Sequence, residues 1–384
     1  MVFIEGLTDI FFKIFTYICV CKIIIVISSH KSPITSGLRL MKGFVQIIIL
    51  TVWIMAGLVQ AQQDPQLSMF MFNKQYLNPA HSGSLRTTNF TLAGRMQWVG
   101  IEGAPNTALF SINGRADRLG GGVGGYAMAD RIGPIGTLGA GGQYAFRLVT
   151  SRKNNVPTSI LQLGISAGFW QKSINPDWRY NTAIGIDPTL LNGAQVNIVP
   201  DLGSGAYFYI PMLKDQGRHK FYAGASIAHL LEPRLSNFTT TGEVVLNRQF
   251  TLTSGYNFRL SQNAPVYLEP SVFIKTDWRS FQYDFNANVH LSPLVFGLSY
   301  RGRIVPSNSE SASTDKTGIR NRDAFVGIVG FHTNSRLFIA YSYDYTLSEL
   351  SAFTSGTHEV IVSYTFPKPN RLPSFDMDTF EKKY

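Results

Sequence analysis

The chain is short of charge, nearly free of cysteine and, beyond residue 61, without a long apolar run. Only 15% of its residues are charged, against about 25% in ordinary soluble domains. That shortage disfavours amphipathic helices with solvated faces. The two cysteines, Cys19 and Cys21, sit near the start in a C-x-C spacing. No second pair or histidine cluster lies nearby, which argues against a zinc site and leaves the rest of the chain without a disulfide. From Gln62 onward no apolar stretch reaches the roughly 18–20 residues that a membrane helix needs. The net charge of +10 is scattered, with no basic block beyond short runs such as "SRK". Nucleic acid is therefore not an expected partner, and a solvated basic surface accounts for the balance.

Glycine and aromatics fill the gap: Gly 35, Phe 27 and Tyr 17. The stretch "YSYDYTLSELSAFTSGTHEVIVSYTF", Tyr341 to Phe366, shows how they are arranged. Leu337, Ile339, Tyr341, Tyr343 and Tyr345 share one parity, and Ala340, Ser342, Asp344 and Thr346 the other. After a polar tip, Val360, Val362, Tyr364 and Phe366 again oppose Thr357, Glu359, Ser363 and Thr365. Period-two alternation marks strands with one apolar face, against either a protein core or lipid.

The start of the chain divides in two. "MKGFVQIIILTVWIMAGLVQA", Met41 to Ala61, has a positive end, an apolar centre and small residues before a cleavage point. It reads as a secretory signal peptide, with Gln62 as the first mature residue. Residues 1–40 then read as an over-extended upstream reading frame, with translation starting at Met41. Residues 62–84 lack alternation and hold Pro65, Pro79, Phe70, Phe72 and Tyr76. This segment is expected to pack on or inside the main body as a plug.

About fourteen alternating runs of roughly ten residues follow, the signature of membrane-barrel strands. They begin with "TNFTLAGRMQW" near residues 88–98 and end with "HEVIVSYTF". Alternate connections are short ("TSRKNNVP", "SQNA", "LSP", "TNS"), and the intervening ones are long and polar, with "DWRS" breaking the order. Among the long ones are "ADRIGPIG" and the stretches at 175–200 and 305–322. Short periplasmic turns and long outer loops predict that alternation, and a soluble sandwich does not. A sheet in lipid must also close, because open edges leave backbone groups unpaired. The sequence thus predicts an all-β, up-and-down antiparallel transmembrane β-barrel over residues 85–366, followed by a periplasmic tail at 367–384. Glycine-rich strands such as "LGGGVGGYA" fit either close approach of neighbouring backbone or of a plug, or barrel curvature.

Catalytic patterns are not found. H-E-x-x-H, G-x-S-x-G and P-loop signatures are missing, and "GGVGGY" precedes no helix that could cradle a phosphate. A Ser/His/Asp set could be drawn from His358, Asp344 and a serine, but barrels make such combinations commonplace. Asp344 and Glu359 read better as lumen carboxylates paired with inward arginines. No cofactor and no metal are expected.

Several stretches together resemble the PorP/SprF family of outer-membrane proteins of the Bacteroidota type IX secretion system. They are "QQDPQLSMFMFNKQYLNPAHSGS", "RMQWVGIEGAPNT", "MADRIGPIG", "FYAGASIAHLLEP" and "YDYTLSELSAFTSGTHEV". The matching positions are Asp64, Pro65, Asn78, Pro79, Trp98, Gly100, Gly103, Ala104, Pro105, Asp130, Gly133, Pro134, Tyr343, Asp344, Gly356, His358 and Glu359. As a plain structural set, the Pro and Gly residues would shape turns and Trp98 would anchor at an interface. The resemblance implies a non-enzymatic outer-membrane barrel serving protein export and, in some members, gliding motility. It also implies partners: outer-membrane lipid, periplasmic secretion components, peptidoglycan-linked lipoproteins, and secreted adhesins or other cargo. The alternative expectation is a passive channel or hydrophobic-solute transporter. Residues 1–40 and the tail "PKPNRLPSFDMDTFEKKY" depart from the family pattern.

Overall fold

The computed structural model describes residues 64–85, 87–153, 156–174, 195–212, 219–235, 244–261, 264–278, 280–304, 322–333 and 336–366. The expected signal peptide, the upstream 40 residues, the tail and most of the 175–200 and 305–322 loops lie outside these.

Fourteen strands form the wall: β1 (Asn89–Met96), β2 (Asn106–Ala116), β3 (Gly121–Ile132), β4 (Ile135–Lys153), β5 (Val156–Ile174), β6 (Gln195–Pro211) and β7 (His219–Ala228), then β8 (Gln249–Tyr256), β9 (Val266–Thr276), β10 (Phe281–Leu291), β11 (Leu294–Ile304), β12 (Arg322–His332), β13 (Leu337–Thr346) and β14 (Thr357–Thr365). Each pairs antiparallel with its neighbour in sequence, and β8 continues past Asn257 as Phe258–Arg259, which also pairs with β9. The ring closes where β1 meets β14, in register from Asn89 opposite Thr365 to Met96 opposite His358. A closed antiparallel ring gives every wall strand a partner on each side, as lipid requires.

Side-chain parity follows the expectation. Along β13 the pattern alternates strictly, with Phe338, Ala340, Ser342, Asp344 and Thr346 buried in the bore and Ile339, Tyr341 and Tyr345 exposed on the outside. Large apolar groups dominate the outer face; Leu298 is 74% exposed and Ile165 64%, which only an apolar surrounding medium makes tolerable. Phe90 stacks on Tyr364 at 5.6 Å and lies 5.7 Å from Phe366, an aromatic cluster at the end of the barrel where β1 begins.

β1 starts and β14 stops at the same end, where the tight connections also gather: 117–120, 154–155 and 292–293. Residues 97–105, 229–248 and 347–356 connect strands at the other end. One connection is shorter than expected. "ADRIGPIG" is mostly strand, because β3 and β4 run on until Ile132 faces Ile135. Only residues 133 and 134 are left to turn, with Gly133 at φ +55°, as twist-matched hairpin turns require. The wall is also uneven: β4 and β5 have 19 residues each and β6 has 17, against 8–12 elsewhere. Residues 148–153 of β4 pair with β5 beyond the last residue of β3, so this hairpin overhangs the end with the tight turns.

Candidate functional site: a filled bore

Residues 64–85 run down the inside of the barrel. Asp64 meets the end of the wall that carries the longer loops, and Ser84 reaches His219 at the other end. Three short turns shape the path: Phe70–Phe72, Lys74–Leu77 and Pro79–His81. Asn78 builds the last one. Its side chain accepts from Ala80 N at 2.9 Å as an N-cap, with Pro79 at the first turn position. Its Nδ2 donates to the carbonyls of Ala206 and Ala225, at 3.0 and 3.2 Å, tying the turn to β6 and β7. Phe70 stacks on Phe273 at 4.9 Å, and Gln75 Nε2 donates to Gln143 Oε1 at 2.8 Å.

Two buried charge clusters hold the upper part of this segment. In the first, Asp344 Oδ2 accepts from Arg95 at 2.9 Å, Arg301 at 3.1 Å and Ser68 Oγ at 2.6 Å. Glu359 takes Arg95 Nη1 at 2.9 Å and the backbone N–H groups of Ser68 and Met69 at 2.7 and 3.1 Å. Arg301 also donates to Asp284 at 3.0 Å. The cluster joins β1, β10, β11, β13 and β14 to Ser68, with its charges almost wholly out of water. Burial of this kind is tolerable only because each charge has partners.

In the second cluster, His229 lies between Asp201 at 2.8 Å and Asp64 at 3.0 Å, and Lys275 donates to the Asp64 carbonyl at 2.8 Å. Burial alone would lower the imidazole pKa, but the carboxylates of Asp64 and Asp201 push it up to about 10. Burial likewise acts to raise the Asp64 carboxyl, yet His229 and Lys275 bring it down to about 2. Both ring nitrogens of His229 face carboxylates, so the ring has no lone pair free to take a proton from a nucleophile.

The residues singled out from sequence fall into three groups. Asp64, Asn78, Pro79, Asp344 and Glu359 line or fill the bore, with Pro65 beside Asp64. Asp130 also faces inward and accepts from Thr107 Oγ1 at 2.6 Å. Trp98, Gly100, Gly103, Ala104, Pro105, Gly133, Pro134 and Gly356 come together at the long-loop rim. There Val99 N donates to Gly356 O at 2.9 Å, Ser355 N to Val99 O at 2.7 Å, and Gly133 N to Gly103 O at 2.8 Å. Gly100 at φ +102° and Gly356 at φ +93° occupy backbone that side chains disfavour. The third group is outside: His358 bonds Tyr341 OH at 2.6 Å, and Tyr343 OH donates to Ser355 O at 2.9 Å. His358 and Asp344 thus stand on opposite faces of the wall, which removes the Ser/His/Asp combination.

Arg95, Arg301, Ser68 and His229 were not singled out. The arginines carried a readable signal, since each shares parity with small or polar inward residues. His229 did not, because its role depends on three distant segments. Among the described residues no group of three or more potential ligands could hold a metal ion.

A closed antiparallel barrel, apolar outside and filled by its own N-terminal segment, defines the class: an outer-membrane β-barrel protein with an occupied bore. The family model described as "Type IX secretion system membrane protein PorP/SprF" matches residues 59–364, and the chain belongs to that family. No curated protein matches it. Among solved structures it is similar to the Acinetobacter baumannii outer membrane protein Omp33, at 10% identity and TM-score 0.39, covering 73% of this chain and 99% of that one. It is also similar to a TodX monoaromatic hydrocarbon channel mutant (10%, 0.38, 75% and 92%) and to the CymD monoaromatic hydrocarbon channel (9%, 0.38, 77% and 93%).

Proposed function

We propose that this chain is a non-catalytic, self-plugged component of type IX secretion. It supports export or surface anchoring of cargo proteins, and gliding motility where the cargo is an adhesin. In this reading residues 41–61 are the signal peptide, 62–84 the plug, 85–366 the barrel and 367–384 a periplasmic tail. The rim and bore residues that resemble the family then hold loops and plug in place for partners. The observation that carries the proposal is the filled bore. Ion pairs and hydrogen bonds from both halves of the wall fix residues 64–85 inside it, which disfavours a passive channel.

The overhanging β4–β5 hairpin supports a docking role at the turn end. Among the described residues no strand pairs with 148–153 on the β3 side, and an open strand edge is a ready template for another chain. The expected partners are periplasmic secretion components and peptidoglycan-linked lipoproteins. Shortening the hairpin by deleting residues 150–158 should leave a folded, heat-modifiable barrel that no longer co-purifies with type IX components. If the full chain co-purifies with none of them, and its deletion leaves cargo export unchanged, the proposal fails.

A further inference from the structure

The lipid side of the wall has a groove near the end with the longer loops. Two rows of outward side chains cross β6 to β9 there. One row is Ser204, Ile227, Phe250 and Thr276, and the next is Ala206, Ala225, Leu252 and Ile274, each opposite its neighbour in the ladder. Ser204, Ala206 and Ala225 are small and the others in their rows are mostly large, so the surface sinks over β6 and β7 and rises over β8 and β9. The groove has a volume of about 470 Å³ and a largely apolar lining. Its size falls within the ~300–1,000 Å³ of small-molecule sites.

Two turns in left-handed backbone stand at its outer end. "DWRS" is the connection that breaks the alternation of loop lengths, a tight turn among long loops. Trp278 sits in it at φ +67°. The turn is braced by Thr276 Oγ1, which accepts from Trp278 N at 3.0 Å, and by Asp277 Oδ1, which accepts from Ser280 N at 2.8 Å. The indole ring thereby meets Phe250 edge-on at 5.1 Å, a placement that suits tryptophan at a membrane interface. In the second turn Glu232 has φ +45°, and its N–H donates to His229 O at 3.0 Å. Strain held at two neighbouring turns points to a use for the groups they aim.

The second turn sets Glu232 3.3 Å from Arg248, with the two side chains 41% and 40% exposed. Arg248 lies two residues before Phe250, and its Nε donates to Leu230 O at 3.2 Å. An ion pair this exposed adds little stability. It does offer a cation and an anion side by side at the mouth of an apolar groove. Hydrocarbon surrounds this face of the barrel, so an acyl chain is the natural filling. The pair then selects the headgroup. A phosphate suits the guanidinium, and a protonated primary amine suits the carboxylate. A headgroup with only negative charge leaves Glu232 facing a like charge, and a quaternary amine has no N–H to give it.

We propose that this groove binds one molecule of phosphatidylethanolamine per barrel. An acyl chain lies over Ala206 and Ala225, the phosphate meets Arg248 and the ammonium meets Glu232. Trp278 packs beside the join between chain and headgroup. This site goes beyond the secretion role and does not depend on it.

The test is native mass spectrometry of the full mature protein, delipidated in a mild detergent, with its fold checked by heat-modifiable mobility. Phosphatidylethanolamine is titrated in, with phosphatidylglycerol and phosphatidylcholine as comparisons. Phosphatidylethanolamine should bind one to one and at least about tenfold more tightly than either, the scale of one charge-assisted contact. Ala225→Phe, which fills the groove, should abolish that binding. Glu232→Gln should weaken phosphatidylethanolamine about tenfold and leave phosphatidylcholine unchanged, which keeps a test in hand if the bulkier variant does not fold. Ala127→Phe, at an exposed outward position of β3, should bind as the parent does. The proposal is overturned if no lipid binds one to one, if the three lipids bind alike, or if Glu232→Gln keeps the parent's preference. It is equally overturned if a folded Ala225→Phe binds as tightly as the parent. A parent dimer that Ala225→Phe turns into a monomer would also overturn it, by giving the groove to a second copy of the chain.

Discussion

Arg95 is the penultimate residue of β1, yet its guanidinium reaches Ser68 of the inner segment, Asp344 of β13 and Glu359 of β14. Removing it leaves two carboxylates buried with a deficit of positive charge. Arg95→Ala should destabilise the folded barrel by about 3–5 kcal/mol, the usual cost of breaking a buried pair from one side. Urea titration of the heat-resistant electrophoretic band measures this. Asp64 and His229 give a second expectation, one that depends on pH. The contribution of His229, with its pKa raised from 6.5 to about 10, is whole below 6.5 and fades as pH rises toward 10. That of Asp64, lowered from 3.8 to about 2, is whole above 3.8 and fades as pH falls toward 2. Burial and the charge of Lys74 hold His81 well below 6.5, so its neutral form is favoured in place and seating weakens as pH falls below that value. A thiol placed by Gln66→Cys, in a chain with no other cysteine beyond Cys21, should be labelled most slowly at roughly pH 6.5 once its rate with a disulfide reagent is divided by that of free cysteine at the same pH, which removes the thiolate's own pH dependence. That ratio should rise toward pH 10 and toward pH 3.

At the level of elements, the glycine-rich strands serve close approach, both of the inner segment and of the neighbouring strand. A Cβ on Gly122 would collide with Ser82 and Gly83, and one on Gly164 with Ala80, so these positions admit the inner segment. Gly121 and Gly168 instead abut Ala145 and Ala140 of the neighbouring strand, where close approach within the wall excludes a side chain. Gly164→Val should therefore unseat the 79–83 turn while leaving the wall closed. The expected reading is a heat-modifiable barrel that passes current in a planar bilayer where the parent stays shut. Equal, closed behaviour of both proteins would contradict it. Strand number and parity were legible because lipid on one face and bore on the other enforce a period of two. The "ADRIGPIG" hairpin was misread as a loop, since its Gly and Pro mark a turn without revealing how far the flanking strands continue.

Across the whole molecule, Asp344 and Glu359 are readable as bore carboxylates awaiting arginine and the parity of Arg95 and Arg301 turns them inward, whereas the pairing between them is not readable. Which inward arginine reaches which carboxylate depends on register summed around a closed ring, and no local pattern encodes that. The same limit hid His229, whose partners come from β6 and from a segment 165 positions away. Closure itself has a consequence in the Arg95 cluster, which bridges the first strand, the last strand and the segment threaded between them. The seam can reach its lowest energy only after residues 64–69 have already entered. Assembly thereby acquires a built-in inspection: a barrel that zips shut around nothing is left with a faulty clasp, and so remains easy to reopen.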